Sequence, residues 1–156
     1  MQLAQLNIAR WAIDPESELA QGFVGRLDEV NGLGEQSEGF VWRLKDESGH
    51  SMNFQLFDDP LLVINLSVWE SIDRLKQFAF RGTHRDVFRQ RHDWFEKSAE
   101  PTSVLWWIED GHQPDLVEAG ERLAHLREFG ASDEAFDFAY AARLTVGDRP
   151  PSPDRD

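Results

Sequence analysis

Two histidines and a run of arginines stand out in an acidic chain. His84 and Arg91 lie seven residues apart in RGTHRDVFRQRHDWF (81–95), so on a helix they share the face that also carries Phe88 and Phe95. An imidazole there can ligate a metal or move a proton near neutral pH. A guanidinium there can fork onto a carboxylate or phosphate. The plainer alternative pairs Arg91 with a buried carboxylate and bonds His84 to main chain. A partner must exist in either case, because an unpaired buried guanidinium costs roughly several kcal/mol. Further polar residues interrupt apolar stretches: Asn7 in LAQLNIAR, and Asn65 with Ser67 in LLVINLSVW, on one face with Trp69. Such a set could wet a cavity and position a ligand, or could serve a hydrogen-bonded seam between two copies. Trp69 and Trp107, with Trp42 and Trp106, supply either the walls of an aromatic pocket or ordinary core. His112 in DGHQP could close over a pocket from a partner chain, or be a plain loop histidine. No H-x-x-x-H or carboxylate–His spacing recurs, so no metal site is expected.

The composition bounds what these residues could serve. With 16 basic and 29 acidic residues the formal charge is −13, which argues against nucleic acid and anionic membrane as partners. The segment 81–97 reverses that sign: five basic and three acidic side chains give it +2 and leave −15 for the rest. There is no cysteine, which excludes disulfides and thiolate chemistry. Eleven Phe and six Trp in 156 residues can fill one sizeable core. The N-terminus lacks the pattern of a signal peptide and no window approaches a membrane span, so a cytoplasmic location is expected.

The elements that must position these residues follow from periodicity. Residues 3–11 alternate as a strand, with Leu6 and Ile8 facing one way and Gln5, Asn7 and Ala9 the other. A helix is expected from about 16 to 31, closed by the glycines at 32, 34 and 39. A strand over 39–46 would put Phe40, Trp42 and Leu44 on one face, and 49–60 reads as a loop or hairpin arm. Residues 61–69 form the clearest strand. Helical patterning from 70 to about 97 changes phase: Ile72, Leu75, Phe78 and Ala79 share one face, and His84, Phe88, Arg91 and Phe95 another. A break at Gly82 with Thr83 as cap is therefore expected. A strand over 102–111 places Trp106 and Trp107 on opposite faces. A helix opens at Asp115 and ends at Gly130, and residues 135–144 alternate as a last strand. One domain over 1–146 with a disordered tail over 147–156 is expected. The order β-α-β-β-α-β predicts an α+β, ferredoxin-like split-βαβ fold, with both helices on one face of an antiparallel sheet, then a C-terminal helix and strand. The other face, bearing the Asn65/Ser67/Trp69 row, would be left uncovered, and a homodimer stacking sheet on sheet is its simplest cover.

LAQLNIAR, GFVWRL, FDDPLLVINLSVWES, H-x6-R-x2-WF and LWW-x4-GH-x-P together resemble an uncharacterised bacterial family, the domain of unknown function 3291. The resemblance spans about residues 3–143. It implies a dimeric α+β barrel within the superfamily that includes the antibiotic-biosynthesis monooxygenases. In that superfamily's haem-degrading members an Asn, a Trp and a His ligand recur, and Asn7, Trp69 and His84 occupy the corresponding elements here. The family itself brings no function, and the residues taken with the superfamily analogy leave two readings. One is a monooxygenase-like enzyme acting on a bulky planar or aromatic compound, or on haem, between the sheet and the second helix. Asn7, Trp69 and His84 would be its catalytic residues, and Asn65, Ser67, Arg91, Trp107 and His112 would bind the ligand. The other is a non-catalytic small-molecule-binding or structural homodimer.

Overall fold

The computed structural model describes residues 1–45, 56–80, 86 and 89–144. Strands β1 (Gln2–Arg10), β2 (Phe40–Arg43), β3 (Leu62–Trp69) and β4 (Ser103–Ile108) form one antiparallel sheet in the order β2-β3-β1-β4. Helix α1 (Glu18–Gln36) joins β1 to β2; α2 (Ile72–Ala79) and the single turn α3 (Arg91–Trp94) lie between β3 and β4; α4 (Leu116–Phe129) and α5 (Phe138–Ala141) follow. This is the split-βαβ order expected from the sequence. Among the described residues no helix is long and apolar enough to cross a membrane.

Strand parity sorts the two faces of the sheet. Leu3, Gln5, Asn7 and Ala9 stand opposite Trp69, Ser67, Asn65 and Val63. Helices α1 and α2 cover this face: Leu3, Trp69 and Leu105 meet Leu75 and Phe78, while Val63 meets Phe23 and Leu27 beside Trp11 and Trp94. On the other face Leu6, Ile8, Leu66, Val104 and Trp106 pack beneath Ala119, Leu123 and Leu126 of α4. Two expectations are corrected here. The second face is not bare, since α4 folds across it, and the reason for stacking a second copy there is removed. The Asn65/Ser67/Trp69 row looks toward α1 and α2 instead, because the register puts it in phase with Leu3 and not with Leu6.

Local chemistry accounts for the other departures. Ser17 caps α1, its Oγ accepting from the Ala20 N–H at 3.2 Å. The helix then runs through Gly32 and Gly34 to Gln36, beyond the expected stop. It stops at its extended C-cap, Ser37, and the chain then turns at Gly39, at φ +87°, where an added Cβ would lie 2.3 Å from Arg74 Cγ. In β2 a bulge between Phe40 and Trp42 inserts one residue. Phe40 stays with the α1/α2 face while Trp42 and Leu44 pack toward α4, so simple alternation fails to place all three. Helix α2 ends at Ala79; the expected break at Gly82 and cap at Thr83 fall outside the described residues. The second segment is helical over Arg91–Trp94 but extended at Phe95, which bridges Trp11, so the helix stops before Lys97. Asp115 and Gly130 bound α4 as expected, Asp115 Oδ1 accepting from the Glu118 N–H at 2.8 Å.

The expected last strand over 135–144 does not form. Leu105 and Phe136 exchange two backbone hydrogen bonds, of 2.7 and 2.9 Å. Asp137 Oδ1 then accepts from the Tyr140 N–H at 2.8 Å and starts α5. A capping aspartate two residues into an alternating run turns it helical, and so short a run does not separate the two periods. A tight turn precedes β3: Leu56 pairs with Asp59 across Phe57 and Asp58, at φ 56° and 55°. Both central residues being left-handed marks a type I′ turn, which a bulky Phe ordinarily avoids.

Candidate functional site

A cavity of about 1190 Å³ lies between the Asn7 face of the sheet and helices α1, α2 and α3. Its floor is polar at the centre. Gln5 is the direct cross-strand partner of Ser67, and Asn7 of Asn65, with Ser103 opposite Asn7 on β4. Strands lie ~4.8 Å apart and rise ~3.4 Å per residue, so these two rungs root four polar side chains on a rectangle of roughly 4.8 by 6.8 Å. Its walls are apolar and aromatic, from Phe23, Leu27 and Val30 of α1, Leu75 and Phe78 of α2, and Trp94 of α3.

The polar floor is unevenly satisfied. Ser67 Oγ accepts from Trp69 Nε1 at 3.0 Å, which fixes the indole and leaves the hydroxyl proton free to donate elsewhere. Gln5 is only 5 % exposed. Among the described residues its carboxamide makes no hydrogen bond, and neither do those of Asn7 and Asn65. These amide groups are not sealed off: each faces the cavity, where water or a ligand can reach it. The indole of Trp69 is held on two sides, edge-on to Phe40 at 5.5 Å and stacked on Phe78 at 5.2 Å. Gly34 permits this closeness: a Cβ there would sit 3.2 Å from Phe78 Cζ. A second aromatic group, Phe23, Trp94 and Phe95, walls the cavity where α1 meets α3, with Trp11 packed behind it.

Charge is arranged around the rim. Arg10 donates to Asp59 at 3.0 Å and to Glu96 at 2.8 Å. Asp59 is held below its ordinary pKa, chiefly by the Leu61 backbone N–H and then by Arg10, while Arg10 is raised, first by its bond to Asp59. Arg43, the cross-strand partner of Ser67, donates to Glu35 at 2.7 Å and lowers the pKa of that carboxyl. Arg26 donates to the Gln90 carboxamide at 3.1 Å.

Of the residues singled out from the sequence, Asn7, Asn65, Ser67, Trp69 and Arg91 all line this one cavity. His84 lies outside the described residues. Trp107 is half-buried beside Phe136, at 6.0 Å, and does not line the cavity. His112 is exposed and bonds Glu118 at 2.7 Å; Glu118 also accepts from Trp106 Nε1 at 3.1 Å, on the α4 side of the sheet. Gln5, Ser103, Arg26 and Arg43 line the cavity without having been singled out. The signal for Gln5 was available: it shares the parity of Asn7 on β1. Among the described residues no three His, Cys, Asp or Glu side chains cluster to hold a metal ion.

Comparison with known proteins adds a family and a fold. The family described as domain of unknown function (DUF3291) matches residues 2–148. No curated protein matches the chain. A conserved protein from Methanosarcina mazei Go1 is similar in structure, with 14% identity and a TM-score of 0.53 over 70% of this chain and 94% of that one. A candidate antibiotic biosynthesis monooxygenase from Nitrosomonas europaea is similar at 12% identity and a TM-score of 0.51, over 72% and 94%. The fold is of the antibiotic-biosynthesis-monooxygenase type.

Proposed function

We propose that this chain, which belongs to the DUF3291 family, binds a bulky planar aromatic small molecule between its sheet and helices α1–α3. The buried carboxamide of Gln5 carries this reading, because it faces the cavity without a hydrogen bond among the described residues. A ligand bearing carbonyl or hydroxyl groups satisfies Gln5, Asn7, Asn65 and the Ser67 hydroxyl together, while Trp69, Phe78 and Phe23 pack on its faces.

The likeness to the Nitrosomonas europaea protein favours an oxygen-dependent conversion of the bound ligand over simple retention. In such a step one oxygen atom enters the ligand and the other leaves as water. A ring methylene oxidised to a carbonyl supplies all the electrons. Asn7 and Asn65 would position the substrate or its oxygen, and Trp69 would shape the pocket. Haem ligation would rest on His84, outside the described residues. The only imidazole on the described lining is that of His92, exposed at the rim, so the described wall does not fit a ligated haem and no step is derived through one.

The test uses 1,8-dihydroxyanthrone. Without oxygen it should quench tryptophan fluorescence saturably, and Asn65→Leu should weaken that binding by about tenfold, roughly one hydrogen bond. No saturable quenching refutes the cavity reading. Admitting air should then form the quinone faster than buffer alone; binding without that acceleration refutes turnover and leaves a binding module.

A further inference from the structure

We infer that the ligand of this cavity is an anion, its charged group held at the rim by Arg26 and Lys97; this rests on the cavity being the binding site. The observation is a reversal of sign. The chain carries −13, yet its cavity lining holds six arginine or lysine side chains against three carboxylates, a net of +3. The remainder of the chain therefore sums to −16. A patch drawn at random from so acidic a protein would be negative.

The lining carboxylates are already engaged. Asp59 and Glu96 both bond Arg10, and Glu100 lies 3.6 Å from Arg127. Arg43 is bonded to Glu35. The bond Arg26 makes is to the neutral oxygen of Gln90, at 3.1 Å, which orients the guanidinium without cancelling its charge. Gln90 immediately precedes Arg91, which also lines the cavity but is itself engaged, so the site rests on Arg26 and Lys97. Lys97 is exposed on the same lining. Cations kept on a concave surface with apolar walls focus their field into it, while the acidic exterior repels anions from everywhere else. A neutral ligand would gain nothing from this arrangement.

Paired isosteres test it: anthracene-2-carboxylate and anthracene-2-carboxamide, titrated by tryptophan quenching at low and at high salt. The carboxylate should bind about tenfold more tightly at low ionic strength, and the preference should shrink as salt rises toward a Debye length of ~3 Å at 1 M. Arg26→Gln and Lys97→Gln should each reduce the preference severalfold, the carboxylate losing more affinity than the carboxamide. Equal binding of the two probes, or a preference that survives both substitutions, overturns the anion inference and leaves the cavity reading standing. Failure of both probes to bind refutes both.

Discussion

Gln5→Leu separates a group kept for a ligand from a group kept for the fold. Leucine approximates the shape of glutamine, and position 5 is 5 % exposed on a strand bonded on both sides. The substitution removes a carboxamide that makes no hydrogen bond among the described residues and adds apolar surface beside Trp69 and Leu75. Because the amide opens on the cavity and is not sealed from it, its removal relieves no full burial penalty, and the added apolar surface should raise stability by at most about 1 kcal/mol. For a chain of 156 residues each kcal/mol moves the thermal midpoint by roughly 2–4 °C, so an unchanged midpoint or a rise of no more than a few degrees is expected. The same change should weaken binding of 1,8-dihydroxyanthrone by about tenfold, the loss of one hydrogen bond. Differential scanning fluorimetry and anaerobic quenching read the two effects on one preparation. A lower midpoint would refute the reasoning, because it would mean that the carboxamide serves the native structure.

Three substitutions test the frame around the site. Gly39→Ala places a Cβ 2.3 Å from Arg74 Cγ at φ +87° and should cost about 2–4 kcal/mol, visible in urea melts. Phe57→Asn relieves a left-handed phenylalanine that is 49 % exposed and should raise stability by about 1 kcal/mol, and a loss would show that the ring's seat against Arg127 outweighs the strain. Asp59→Asn tests the acid limb. The depressed pKa of Asp59 contributes stability present above the ordinary aspartate range, near 4, and lost as pH falls through the lowered value. The variant's pH–stability curve should be flatter there, and an unchanged curve would show that the bonds to Leu61 and Arg10 are not felt.

The parts legible in the sequence share a physical signature. The phase of β1, the helix bounded by Asp115 and Gly130, and the side-by-side placement of Asn65, Ser67 and Trp69 depend on period and capping within a few residues, and the chain states those directly. What failed depends on partners far away in sequence. The bulge at Phe40–Trp42 is set by pairing with β3, and α1 passes two glycines because Phe78, more than forty residues on, packs against Gly34. The cover of the second face could not be read from the pattern of α4, since an apolar stripe does not say which sheet face it will meet. Parity puts Gln5 beside Asn7, but a single glutamine in a strand looks like an exposed position until the helices above it are in place.

The clip between Leu105 and Phe136 bears on the chain's behaviour in company. β4 is an edge strand, and an edge with open N–H and C=O groups is a template for any other chain. Phe136 occupies that template at mid-strand with two hydrogen bonds, and α5 folds Phe138 and Ala141 back onto the aromatic core beside it. A chain cut after Gly130 would keep all four strands and lose this stopper, leaving a six-residue apolar border, SVLWWI, unguarded. Such a fragment should recruit its own kind edge to edge. In the intact protein the pairing of Phe136 closes the middle of that edge to another chain.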